Sequence, residues 1–412
     1  MSDSLVPETR VLAVASHVSH TPNTSDIDYI INISIGCLWV CDLCLCGVIQ
    51  SSDDNLQADI FSSHVGNTMA TFVMQSLGCE VAALNTVNFS NHTGYRQFKG
   101  TRATAQEISN LYQGLCQSNL TDFDVMLSGY APSAAAVEAV GSIGIDLQQR
   151  AEKKPGSFFW VLDPVMGDQG RLYVNDDVVP AYKKIIHHAD LILPNQFEAE
   201  VLSGIKITSL ATLAEAITAI HRIYSVPHVI ITSVQLFKLS ASGSTPSPAE
   251  NFLTVIGSTT KSDGSPRLFR VDVPALDCFF SGTGDMFAAL TVARLREAVD
   301  AAGDDLRNTR SWVSPDNVPS SQLPLAQSTI KVLSSMHSVL ERTMEARDAE
   351  LAKDVPAQNG GVSVEEQQKL DHLRRTKAAE VRLVRNTRFL RDPLAQFEVQ
   401  EWCKEDLPAQ LQ

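Results

Sequence analysis

Positive charge is the scarcer sign in this chain: 33 lysines and arginines stand against 47 aspartates and glutamates over 412 residues, a formal net charge of -14. That balance argues against a broad nucleic-acid surface, although it leaves room for a local basic pocket around a phosphate ligand. Residues 1–10 lack both the positive region and the apolar core of a secretion signal, so a reducing, intracellular setting is expected. Cysteine is sparse and unevenly spread. Of eight in all, Cys37, Cys41, Cys44 and Cys46 crowd into one stretch, and Cys79, Cys116, Cys278 and Cys403 are scattered, which is no disulfide framework. The crowded four do not form two separated CxxC knuckles and have no histidine among them, a poor pattern for zinc. No clean membrane span is present either. The apolar stretch over 30–49 is interrupted by Asn32 and Asp42 and lacks flanking Lys or Arg.

What is there begins with a hydrophobic content of 44%, enough for a substantial core. The run Phe280-Ser281-Gly282-Thr283-Gly284-Asp285 lacks the Lys-Ser/Thr ending of a P-loop and the third glycine of a dinucleotide fingerprint. It opens into Met286, Phe287, Ala288, Ala289, Leu290, Val292, Ala293 and Leu295, a buried-helix pattern. Small residues at a helix start allow phosphate oxygens to meet amides that have no partner inside the helix. A carboxylate among those donors makes sense if Asp285 takes a proton from a hydroxyl while the amides stabilise a transferring phosphoryl group. The alternative is a glycine turn whose Asp caps the helix.

Along the chain, apolar strands end repeatedly in polar groups and pass into helices. Residues 10–15 form a first strand ending at Ser16-His17-Val18. A strand from residue 80 runs into Thr86-Val87-Asn88-Phe89-Ser90-Asn91-His92-Thr93-Gly94-Tyr95, a polar loop that suits a planar polar ligand or serves as a capped turn. The strand over 124–130 ends in Gly129 and Tyr130. Phe158-Phe159-Trp160-Val161-Leu162 leads to Asp163-Pro164-Val165-Met166-Gly167-Asp168, whose carboxylates suit magnesium or are simply solvent-facing turn acids. The strand over 189–193 leads to Pro194-Asn195-Gln196-Phe197-Glu198, where Glu198 is neutralised either by a metal or by helix-end donors. Val229-Ile230-Ile231-Thr232-Ser233 repeats the pattern, and 252–257 and 268–273 read as edge strands. The recurrence calls for an α/β fold, a three-layer α/β/α sandwich with a mostly parallel central sheet and its active mouth at the strand ends. Residues 303–322 and 353–365 read as surface loops, and 369–388 as a charge-rich helix with a solvated face.

Residues 19–63 fit none of this, because so long a connection inside a compact domain is abnormal. One hypothesis is a translated retained intron: Val18-Ser19 can be encoded by GTGAGT, a splice donor, and Phe61-Ser62 can span a TTTAG-like acceptor. Transcripts showing only continuous coding sequence through the segment would contradict it.

Taken in order, Ser16-His17-Val18, Val65-Gly66-Asn67, the 85–95 run, Ser128-Gly129-Tyr130, the motifs at 163–168 and 194–200, Ile231-Thr232-Ser233 and Gly282-Thr283-Gly284-Asp285 resemble the pyridoxal kinases, within the ribokinase-like kinases. The likeness extends over nearly the whole chain, as one domain. It implies ATP-dependent phosphorylation of the 5′-hydroxymethyl group of pyridoxal, pyridoxine and pyridoxamine, with a related hydroxymethylpyrimidine or sugar kinase, or a catalytically dead scaffold, as alternatives. The resemblance makes Asp285 the base and Gly282, Thr283 and Gly284 the anion hole. It assigns Ser16, Val65, Val87, Phe89, His92, Thr93 and Tyr130 to the vitamin pocket. Asp163, Asp168, Asn195 and Glu198 fall to the metal and phosphate region, and Thr232 and Ser233 to the nucleotide. It further implies a homodimer using Mg or Zn with ATP, activation by potassium, and a cytoplasmic or nuclear location, with no membrane or nucleic-acid partner. Two departures stand out. Ser63-His64 replace the family's Gly-Tyr beside the insert, so a loop displaced from Ser16 is expected to weaken the enzyme, and Leu193 replaces a threonine common in relatives.

Overall fold

The computed structural model describes residues 6–18, 64–234, 252–353 and 363–402. The 19–63 insert with its four cysteines, the Ser/Pro-rich stretch over 240–250, Cys403 and most of the 353–365 segment lie outside the described residues. The strands are β1 (Arg10–Val18), β2 (Glu80–Phe89), β3 (Gly100–Arg102), β4 (Val125–Ser128), β5 (Phe159–Leu162) and the small hairpin β6 (Gly167–Asp168) and β7 (Arg171–Leu172). They continue with β8 (Leu191–Ile192), β9 (His228–Val234), β10 (Phe252–Thr260), β11 (Pro266–Pro274) and β12 (Gln400–Glu401). All but the hairpin join one ten-stranded sheet in the order β12-β11-β10-β9-β8-β5-β4-β1-β2-β3. Neighbours from β9 to β2 are parallel, and both flanks are antiparallel. The expected edge strands β11 and β10 thus lie one and two steps inside the edge, which β12 forms.

The near-continuous apolar runs of the central strands are explained by a sheet buried on both faces. Successive side chains point to opposite sides, so Val11, Ala13, Phe159 and Val161 enter one core while Leu12, Val14, Trp160 and Leu162 enter the other. The first core is closed by α1 (Gly66–Ser76), and further along the chain by the helices Thr283–Ala302 and Pro324–Lys353. The second is closed by α2 (Ala105–Gln117), α3 (Ala134–Ala151), α4 (Val178–Ile185), α5 (Gln196–Ser203) and α6 (Leu210–Tyr224). The two late helices are α7 (Thr283–Ala302) and α8 (Pro324–Lys353), followed by α9 (Val364–Ala378). This is the three-layer sandwich expected from the strand-and-helix recurrence. No helix among the described residues is long and apolar enough to cross a membrane. Cys79, Cys116 and Cys278 are free thiols.

Two expectations change. Thr86, Val87, Asn88 and Phe89 belong to β2 rather than to a loop. A register shift between Ala15 and Ser16 against β2 keeps the strands paired beyond the bulge, and there Thr86 Oγ1 donates to Tyr130 O at 2.7 Å. Residues 303–322 are not a plain surface loop. They hold short helical turns, and Trp312, only 3% exposed, stacks on Phe159 with ring centroids 4.1 Å apart and donates Nε1–H to Gly156 O at 2.9 Å. Beside it Ser311 Oγ donates to the buried Asp190 carboxylate, whose other oxygen accepts from Trp160 N–H at 2.7 Å. Polar and proline-rich composition hid one large anchor that covers the end of β5. Trp312→Ala is expected to cost about 3–5 kcal/mol in a urea unfolding series.

Candidate active site

The glycine run at 280–285 does begin a helix, but Asp285 does not cap it. Gly282 occupies the cap position with φ 81°, where an added Cβ would lie 2.6 Å from His64 O. The first helical bond runs from Met286 N–H to Gly282 O at 2.9 Å, so the amides of Thr283, Gly284 and Asp285 come before it in the chain. Asp285 Oδ2 instead accepts from Gly66 N–H, at the start of α1, at 2.7 Å. Gly66 has φ 55°, and a Cβ there would sit 2.1 Å from Ser16 O, so the approach of α1 to the end of β1 requires glycine.

The loop expected to be displaced beside Ser16 lies outside the described residues, but the helix that follows it is docked against the end of β1. Gly66 forms a bridge with His17, Thr68 Oγ1 donates to Val18 O at 3.0 Å, and Asn67 Nδ2 donates to Leu84 O at 2.9 Å. Val18 and Val65 pack together with Val87, Phe89 and Tyr130 in a small cluster of their own. The residues on either side of 19–63 are therefore tied to each other and to the sheet.

At the ends of β5 and β8 the acids take different roles. Glu198 is 3% exposed, and its oxygens accept from Met166 N–H at 2.8 Å, Gly167 N–H at 3.3 Å and Asn195 N–H at 2.9 Å. These donors come from the 163–168 turn and from the cap of α5. Asn195 caps α5 by accepting from Glu198 N–H at 2.9 Å and donates Nδ2–H to Gly167 O at 2.7 Å, so the pair clamps the 163–168 turn. Asp168 Oδ1 accepts from Gln169 N–H at 2.7 Å. Asp163 faces the helix start, with its Oδ2 3.8 Å from where a Gly284 Cβ would lie. Burial, then the charges of Glu198 and Asp285, push Asp163 well above the usual carboxylate range. Burial likewise pushes Glu198 up against the pull of its backbone donors. Asp285 is raised to about 6 by burial, opposed by the Gly66 amide.

A single cleft of about 1150 Å³ is lined by every expected position: Ser16, Val65, Val87, Phe89, His92, Thr93 and Tyr130; Asp163, Asp168, Asn195 and Glu198; Thr232 and Ser233; and Gly282, Thr283, Gly284 and Asp285. Sequence reading missed Arg96, Arg102, Arg347, His372 and Arg375 on its wall. The last two lie on α9, whose charge pattern reads as a solvated face, and only the tertiary fold shows that this face closes the cleft.

A mostly parallel sheet between helix layers, with a buried carboxylate beside the amides of a helix start at the strand ends, is the architecture of the ribokinase-like class of phosphotransferases. Residues 142–313 match the family model described as phosphomethylpyrimidine kinase. The chain is 34% identical to the pyridoxal kinase of Homo sapiens over 313 residues, covering 73% of this chain and 88% of that one. It is 36% identical to the pyridoxal kinase of Ovis aries over 318 residues, 74% and 90% of the two chains. The solved pyridoxal kinase from Leishmania donovani in complex with ADP and pyridoxamine superposes with a TM-score of 0.65 at 25% identity, over 96% of this chain and 100% of that one. The chain belongs to the pyridoxal kinase family.

The raised Asp285 has opposite consequences for stability and activity. Its folded-state proton affinity exceeds the unfolded one, so its favourable contribution is complete at low pH and is lost as pH rises from about 4 through about 6. Asp285→Asn should therefore stabilise the fold at pH 8 by on the order of 1–3 kcal/mol, a gain that vanishes below about pH 4. Paired chemical-denaturation curves at the two pH values check this.

Proposed function

We propose that the chain transfers the terminal phosphoryl group of ATP to the 5′-hydroxymethyl group of pyridoxal, pyridoxine or pyridoxamine. The observation that carries this reading is that Asp285, held by the Gly66 amide, shares one cleft with the His92-Thr93 loop and with Thr232 and Ser233. Asp285 takes the hydroxyl proton as the oxygen forms its bond to phosphorus and the bond to the ADP oxygen breaks. The amides at Gly282, Thr283 and Gly284 stabilise charge on the phosphoryl oxygens. Ser16, Val65, Val87, Phe89, His92, Thr93 and Tyr130 hold the vitamin ring. Thr232 and Ser233 approach the nucleotide.

The donor set fits a hard divalent cation, magnesium ahead of zinc. Buried carboxylates that repel one another favour a positive charge between them, and all are oxygen donors. Among the described residues no group of three or more His, Cys, Asp or Glu could hold a metal by itself, so nucleotide oxygens would complete the coordination. Asp163 and Asp168 would contribute directly and Glu198 would act through the turn it clamps; when bound, such an ion neutralises charge on the phosphates. Leu193 is 3% exposed and offers no side-chain oxygen for potassium, so at this position only the backbone oxygen could contribute. A homodimer, a cytoplasmic or nuclear location and a single domain over 1–412 complete the reading; they rest on the family likeness.

The match to phosphomethylpyrimidine kinase supports a second reading, an aminopyrimidine alcohol as acceptor, but the matched residues exclude the His92-Thr93 loop. A substrate panel with labelled ATP should show transfer to the three B6 vitamers and little to hydroxymethylpyrimidine or sugars. Asp285→Asn should lower kcat by about 10²–10⁴-fold. Retained activity in that variant would remove Asp285 as the proton acceptor.

A further inference from the structure

His92 belongs to the vitamin pocket in the reading above, and the following inference rests on that reading. Its ring is 8% exposed, and both ring nitrogens are engaged. Nδ1 accepts from Gly94 N–H at 3.1 Å, which leaves the ring proton of the neutral imidazole on Nε2. Nε2 lies 3.1 Å from Glu380 Oε1, a carboxylate 7% exposed that also accepts from Tyr95 O–H at 2.8 Å. The two rings held by that carboxylate oxygen, His92 and Tyr95, have centroids 4.7 Å apart. Ser281 Oγ sits 3.3 Å from the same Nδ1, directly before the glycine turn that forms the anion hole. His372 on α9 adds a contact from Nε2 to Gly94 O at 2.9 Å.

We propose that Glu380 is a positioning residue: from the segment after α9 it fixes the tautomer and orientation of His92, and so locks the vitamin loop to the anion turn at Ser281. A carboxylate can accept from both Nε2–H and the tyrosine hydroxyl, so it selects one His92 tautomer. The other would set a proton on Nδ1 against the Gly94 amide proton. With Nδ1 kept as an acceptor, its single lone pair is shared between Gly94 N–H and Ser281 Oγ–H, which ties the turn to the loop. With both nitrogens occupied, His92 acts as a fixed hydrogen-bonding hub rather than as a proton carrier. The segment around 372–380 is thereby part of the working site through Glu380 as well as through His372 and Arg375 on the cleft wall.

The full-length protein tests this through Glu380→Ala, Glu380→Gln, His92→Ala and the double variant Glu380→Ala/His92→Ala. Glu380→Ala should lower kcat/KM for pyridoxal about 10–100-fold, by loosening a site sensitive to errors near 1 Å, without changing KM for ATP. Glu380→Gln keeps an acceptor oxygen and should restore most of the loss. The double variant should be no worse than His92→Ala, because the two residues act as a unit. Nitrogen-15 spectra of the histidine rings should show His92 as the Nε2–H tautomer in the wild type and a mixture in Glu380→Ala. That readout needs no turnover, so it separates failure of this inference from failure of the kinase reading. An Nδ1–H tautomer in the wild type, wild-type kinetics in Glu380→Ala, or losses that add in the double variant would each overturn the proposal. So would a Gln variant as impaired as the Ala variant.

Discussion

The proposed site depends on one buried carboxylate, Asp285, at the head of a helix whose first-turn amides attract negative charge. Burial pushes Asp285 toward its protonated form, and the hydrogen bond from the Gly66 amide opposes that tendency. A hydrogen bond to a charged group contributes about 1.5–3 kcal/mol, enough to decide whether the carboxylate is usable near neutral pH. That bond also sets a geometric condition. Gly66 can reach Asp285 only by passing against Ser16 O, in a conformation with positive φ, so the end of β1, the start of α1 and the start of α7 are positioned together.

Around this contact the acids are sorted by their surroundings. Glu198 is buried and fully engaged by backbone donors, which makes it a brace for the turn after β5. Asp163, for which no such set of donors is found among the described residues, feels both Glu198 and Asp285, and a cation beside it would favour its charged form. Crowding like charges in a buried cleft weakens the fold, and in the function proposed above the same crowding would favour a bound cation. The price of the chemistry is local stability, offset by the two apolar cores on either side of the sheet.

Much of the fold was legible in the sequence. Strands with apolar residues on both faces can only be central strands of a covered sheet, and a polar group at the end of each marks one rim as the working one. The glycines at 282 and 284 and the acid at 285 carried the site for the same reason, since local spacing at a helix start is a local property. What stayed hidden is set by contacts between residues far apart in sequence. Glu380 meets Tyr95 across 285 positions, and nothing in an Arg-rich helix signals that one of its faces covers a cleft. Trp312 hid within a polar, proline-containing stretch because a single large side chain anchors a segment without giving it periodicity. The tie between Val18 and Thr68 is likewise invisible when the 19–63 insert separates them in the chain.

The most direct measurement is a crystal structure of the full-length protein with pyridoxal and a non-hydrolysable ATP analogue. The account predicts the 5′-hydroxyl oxygen within about 3 Å of an Asp285 carboxylate oxygen. It also predicts the terminal phosphate on the amides that begin α7 and the pyridine ring between Val87, Phe89 and Tyr130. A vitamin bound with its alcohol turned away from Asp285, or a nucleotide whose terminal phosphate avoids the Gly282 turn, would contradict it.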